Sequence, residues 1–159
     1  MTGAKGFSHH DHHSCVHDAI ASAERSCADQ GLQLTPVRRR ALEILLESHQ
    51  AMGAYDVLAR LDKDGFGSKP PVAYRALGFL VDNGFAHRIE RLNAFVACTH
   101  PGAEHDPAFM ICRSCHKVAE AEAPRGALLK GSADEAGFVI EQTVMEAEGL
   151  CPSCQGGKA

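Results

Sequence analysis

The sequence predicts an α+β protein in two parts, and three observations carry that prediction. Helical periodicity runs through residues 18–83 and then gives way to two short β-prone runs. Two C-x-x-C pairs, Cys112-Arg113-Ser114-Cys115 and Cys151-Pro152-Ser153-Cys154, bracket the second half. Charge divides the chain as well: residues 33–91 hold nine Lys/Arg against seven Asp/Glu, and the rest holds seven against thirteen.

A chain of 159 residues, 45% apolar, forms one domain or two small ones. Two small units would each be marginal without a metal staple or a dimer interface. The first eight residues carry no apolar stretch of a secretory signal, and no apolar run approaches the ~18 residues of a membrane span. The expectation is a cytoplasmic protein whose thiols stay reduced and available to metal. A net charge of −4 argues against nucleic acid, and the mild basic excess of residues 33–91 gains meaning only with a motif.

Residues 1–17 hold five of the ten histidines with almost nothing apolar, so a disordered tail is expected. A low-affinity metal-collecting arm is the alternative for that composition. A first helix is expected over residues 18–29, ending near Gly31. Thr35-Pro36 then reads as N-cap and first-turn proline. Val37, Ala41, Ile44 and Leu45 follow as one buried stripe. A third helix covers residues 54–63, and residues 64–69 form a loop. A fourth runs from Pro70-Pro71 to Asn83-Gly84, where glycine supplies the left-handed closing residue. Residues 85–90 and 94–98 then read as a hairpin joined by Arg91-Leu92-Asn93. Helices followed by a hairpin give the order of a winged helix, over residues 18–98. Residues 99–107 are a polar hinge. Residues 108–159 form a small α/β unit, with strand-like runs at 108–112, 117–123 and 138–145 and a helix over 125–136.

Cys112, Cys115, Cys151 and Cys154 have the spacing of one closed tetrahedral zinc site, which would pin the C-terminus to the strand before Cys112. A thioredoxin-like pair would need only one knuckle, and two disulfides would need an oxidising compartment. On the fourth helix Val72, Ala76, Leu77 and Leu80 share one face, and Tyr74 and Arg75 project from the other. Arginine can pair with guanine, and tyrosine can meet thymine methyls and phosphate. An ordinary amphipathic helix would show the same pattern. Further metal-donor candidates gather around the hairpin and hinge: His87, Cys98, His100, His105 and Glu120.

Lys69-Pro70-Pro71-Val72-Ala73-Tyr74-Arg75-Ala76-Leu77, with Asn83-Gly84-Phe85-Ala86-His87-Arg88-Ile89-Glu90, resembles the recognition helix and wing of the ferric uptake regulator (Fur) family. The two knuckles are similar to that family's structural zinc site, and the resemblance spans about residues 18–154. It implies a homodimeric, metal-responsive repressor that binds roughly palindromic double-stranded operator DNA. Lys69, Tyr74 and Arg75 would face the DNA. It implies neither an enzyme, a small-molecule substrate nor a membrane. Residues 108–159 would form the dimerisation domain.

One thiolate, two imidazoles and one carboxylate suit zinc, whereas iron and manganese favour more oxygen and nitrogen. That set resembles the zinc uptake regulator branch, and the carry-over falls on His87, Cys98, His105 and Glu120. The hinge run Glu104-His105-Asp106-Pro107 has one histidine where the iron branch typically shows His-His-Asp-His. The expectation is two zinc ions per chain and zinc-dependent repression of zinc-uptake genes. An iron-, manganese- or peroxide-sensing regulator stands as the alternative within the family. A zinc buffer or chaperone, or a zinc enzyme, stands outside it. Whether Glu120 or His100 completes the regulatory site stays open.

Overall fold

Apolar residues at helical spacing build the first unit of the computed structural model, which describes residues 5–7, 11–99, 101, 107–122 and 128–156. Its helices are α1 (His12–Gln30), α2 (Pro36–Leu46), α3 (Ala54–Lys63) and α4 (Pro70–Asp82). Helix α1 starts at His12, not at residue 18, so the last part of the expected disordered tail is helical. Asp11 caps it by accepting the His13 N–H at 3.0 Å. Val16 extends toward the N-terminus the stripe of Ile20, Ala23 and Cys27 that packs on the core. The surrounding histidines concealed that turn from a composition-based reading. Residues 1–4 and 8–10 of the expected tail lie outside the described residues.

Helix α2 begins with Pro36 at its first turn, and Thr35 is extended but makes no side-chain cap bond. Ala41, Leu42, Ile44 and Leu45 of α2 meet Val57, Leu58 and Leu61 of α3 and Ala73, Ala76, Leu77 and Leu80 of α4. Each large side chain buried this way contributes about 1.5–3 kcal/mol. Val72, expected inside, is only partly buried, while Ala73 is fully buried. Arg40 ties α2 to the end of α3 through Asp64 at 2.6 Å, and also pairs with Glu43 and Glu47 at 3.2 Å. Arg39 and Arg60 are likewise ion-paired, with Glu24 and Glu47. Several basic side chains of this half are therefore paired within the chain and not free for a partner.

The hairpin follows as β1 (Ala86–Ile89) and β2 (Ala94–Ala97), with Ala86 opposite Ala97 and Ile89 opposite Ala94. A 3-10 turn over Glu90–Leu92 joins them, closed by Asn93 at φ 47°. The winged-helix order is thus observed. The second unit contains β3 (Pro107–Cys112), β4 (Val118–Glu122), α5 (Lys130–Ala136), β5 (Met145–Gly149) and α6 (Pro152–Gln155). Strand order is β4-β3-β5, with β4 antiparallel and β5 parallel to β3.

Two expectations shift here. The last strand lies at 145–149 instead of 138–145, and α5 is seen from Lys130, with residues 123–127 outside the described set. Phe138 and Val139 are apolar but 67% and 79% exposed, so their character reflects a surface and not a strand of this chain. The true strand alternates Met145, Ala147 and Gly149 with Glu146 and Glu148, and its acidic side obscured it.

Register divides this sheet into two faces. Glu120, Phe109 and Glu146 form one row across β4, β3 and β5, and Val118, Ile111 and Glu148 form the next. That face packs on the hairpin, where Phe109, Ile111 and Val118 join Ile89 and Val96 in one buried cluster. The opposite face is apolar: Ala108, Met110, Ala119, Ala121, Met145 and Ala147. A second junction runs from the loop after α2, where His49 C=O accepts the Val118 N–H at 2.8 Å and Gln50 Nε2 donates to Cys115 C=O at 3.0 Å.

Candidate metal centres and nucleic-acid interface

Two groups of metal-donor side chains converge among the described residues. The first is the paired knuckle. Strand β3 delivers Cys112, and the turn back to β4 passes through His116 at φ 60°. Cys151 is the N-cap of α6, Pro152 starts that helix, and Cys154 lies one turn on. That short helix was absent from the sequence reading. The four sulfur atoms lie within 4.8 Å of one another, with Cys115 Sγ 3.7 Å from Cys151 Sγ. The Cys151 N–H donates to Cys112 Sγ at 3.4 Å.

That donated N–H is the largest cause holding the Cys112 thiol down to about 6. The Cys154 thiol is pushed up to about 12, first by its contact with Cys151. One sulfur ionises readily and another resists, as expected when several thiolates crowd one place. A bound dication would remove the conflict, and four thiolates gathered this closely are a donor set for zinc with no position left for water.

The second group joins wing to sheet. His87 on β1, Cys98 just past β2 and Glu120 on β4 place one donor atom each within 4.8 Å of the others. His87 Nε2 is 3.3 Å from Glu120 Oε1, and Cys98 Sγ is 3.8 Å from the same oxygen. The other oxygen, Glu120 Oε2, accepts the Thr99 N–H at 3.0 Å and its hydroxyl at 3.2 Å. Glu120 is only 7% exposed, so its charge needs these partners. The His87 ring meets Phe109 edge-on at 5.3 Å, which fixes its orientation. Soft sulfur, imidazole and carboxylate in one buried place can hold a borderline-soft cation. His105 and His100, the other candidates, lie outside the described residues.

Helix α4 presents the third feature. Tyr74 is 51% exposed and Arg75 is exposed, near the start of the helix. Lys69 precedes it as N-cap and is exposed too. Tyr55 of α3 meets Tyr74 edge-to-face at 6.4 Å. Arg75 has no ion pair among the described residues, unlike Arg39 and Arg40 of α2.

No family model matches the chain. The zinc uptake regulation protein of Escherichia coli strain K12 is 36% identical over 140 residues, covering 86% of this chain and 81% of that protein. This chain belongs to the zinc uptake regulator family. A zinc uptake regulator complexed with zinc and DNA superposes with TM-score 0.82 at 36% identity, covering 88% of this chain and 95% of that one. Holo XcZur, at 38% identity, gives 0.78 and covers 87% of this chain and 97% of its own. Apo XcZur, also at 38% identity, gives only 0.51 while covering 90% of this chain and 99% of its own. The two identities are equal, and this zinc uptake regulator family member superposes better on the holo form.

Sequence reasoning missed two residues of the second group. Thr99 holds Glu120 through its amide and hydroxyl, and Phe109 orients His87. For Thr99 the signal was its place directly after Cys98. For Phe109 only the strand register could have supplied it.

Proposed function

We propose that this protein is a dimeric, zinc-responsive repressor that binds operator DNA when zinc is bound and thereby controls zinc-uptake genes. It acts by occupancy and not by catalysis. The observation that carries the reading is the convergence of His87, Cys98 and Glu120 where the wing meets the sheet. A cation held there ties the DNA-facing half to the half that dimerises. The likeness to a zinc uptake regulator complexed with zinc and DNA supports it.

Two zinc ions per chain take distinct roles. Cys112, Cys115, Cys151 and Cys154 hold a structural ion, which supplies the closure that a small unit needs. His87, Cys98 and Glu120, completed by His105 from the hinge, hold the regulatory ion. The thiolate among these ligands favours zinc over iron or manganese. Lys69, Tyr74 and Arg75 enter the major groove, and two heads read a roughly palindromic operator. The apolar sheet face around Met110 and Met145 supports pairing with a second copy. Residues 18–98 work as the reading head, extended forward by the rest of α1, with 99–107 as hinge and 108–159 as dimerisation domain. Reduced thiols suit the cytoplasm, and no helix of the described residues is long and apolar enough to cross a membrane.

Zinc stoichiometry measured beside operator binding tests this reading. The expectation is two zinc ions per chain, with DNA affinity lost when a mild chelator removes one. Operator binding that ignores the chelator while one ion leaves would sink it.

A further inference from the structure

The sheet holds the wing at a second place, away from the metal donors. Glu146 on β5 reaches the 3-10 turn at the wing tip and accepts the Glu90 N–H at 2.7 Å and the Arg91 N–H at 3.1 Å. These are the first two amides of that turn, which lack partners within it. Beside them the Arg91 guanidinium donates to both oxygens of Glu148, at 2.9 and 3.3 Å. Arg91 and Glu148 are well exposed, so solvent screens that pair. Glu146 is half-buried and its bonds are charge-assisted, so it carries the larger share.

The register gives this contact its meaning. Glu120, Phe109 and Glu146 stand side by side across the sheet, one per strand. Glu120 meets His87 and Thr99 at one edge, Phe109 supports the His87 ring in the middle, and Glu146 grips the wing tip at the other edge. We infer that Glu146, assisted by Glu148 and Arg91, is a positioning residue: a metal-free clamp that sets the wing on the sheet together with the regulatory ion. Between the two grips the wing packs on the sheet through Ile89, Val96, Phe109, Ile111 and Val118, and holding both edges restricts pivoting about either one. The chain in which both grips coexist superposes better on holo XcZur than on apo XcZur. A contact that is stronger in one of two arrangements shifts the equilibrium toward it and raises the affinity of every ligand that prefers it, which is the effect the clamp is inferred to have.

The clamp's effect on zinc and DNA rests on the regulatory reading above, but its existence does not. Glu146→Gln keeps the shape and removes the charge. In the zinc-loaded full-length protein, hydrogen exchange at the Glu90 and Arg91 amides should quicken about tenfold or more, with structural zinc and the dimer retained. Operator affinity at saturating zinc should fall by about 5- to 50-fold, and zinc affinity at the regulatory site should fall with it by linkage. Glu148→Gln should give a smaller change in the same direction. Wild-type exchange at both amides in Glu146→Gln would overturn the clamp. Faster exchange with unchanged operator and zinc affinities would overturn its positioning role. A wild-type protein whose operator binding ignores zinc would instead sink the regulatory reading, and the amide exchange would still judge the clamp.

Discussion

Glu120 is a buried carboxylate between an imidazole, a thiol and a threonine, and such a group is costly unless its charge is used. With His87 and Cys98 it forms a donor set that could hold a cation at the point where two units touch. Arg75 has the opposite surroundings. Its neighbours in the helical unit, Arg39, Arg40 and Arg60, are bound to carboxylates. Arg75 projects from the start of α4 with no ion pair among the described residues. Arg75→Ala should weaken operator binding by about 1–3 kcal/mol and relax base preference. Zinc content and dimerisation should stay as they are. Gel-shift titration against operator and random DNA checks it, and undiminished selectivity would remove Arg75 from the groove. Single residues of rare chemistry were legible in the sequence: cysteines, histidines, and an arginine opposite an apolar helix face. Phe109 and Glu146 were not, because their roles depend on register, and register is a property of paired strands.

Elements were legible where local chemistry decides them. Pro36 and Pro70-Pro71 start helices, Gly84 at φ 76° ends one, and Asn93 closes the wing turn. They were illegible where tertiary packing decides. Strand β5 shows acidic side chains to the wing, so its alternation reads as polar, and the exposed apolar run before it has the stronger strand pattern. The knuckle is the element whose four thiols gather as one candidate metal site. At pH 7 in the zinc-free protein, Cys112, held at about 6, is already largely ionised, while Cys154, raised to about 12, keeps its proton. Filling this site at pH 7 should therefore release fewer than four protons per ion. Below about pH 6 Cys112 is protonated too, and the count should rise. Calorimetry in buffers of different ionisation enthalpy, on the first zinc equivalent, gives that count. A count that does not change with pH would contradict the assignment of Cys112 as the pre-ionised sulfur.

At the scale of the whole molecule, the parts form one device. Reading head and sheet unit meet through the cluster of Ile89, Val96, Phe109, Ile111 and Val118 and through the loop after α2. The donors His87, Cys98 and Glu120 stand at one edge of that junction and Glu146 at the other. A dimer presenting two heads to two half-sites needs one separation between them. Zinc favours DNA only by binding the DNA-competent arrangement more tightly, and a coupling of about 1–3 kcal/mol is the ordinary size. Cys98→Ser separates this coupling from folding, because Cys98 belongs to the junction and not to the knuckle. The most direct measurement is operator affinity of Cys98→Ser as zinc is titrated, beside its zinc content and dimer mass. The account predicts a dimer that keeps its structural zinc and binds operator weakly at every zinc concentration. A zinc response as large as that of the wild type would contradict it.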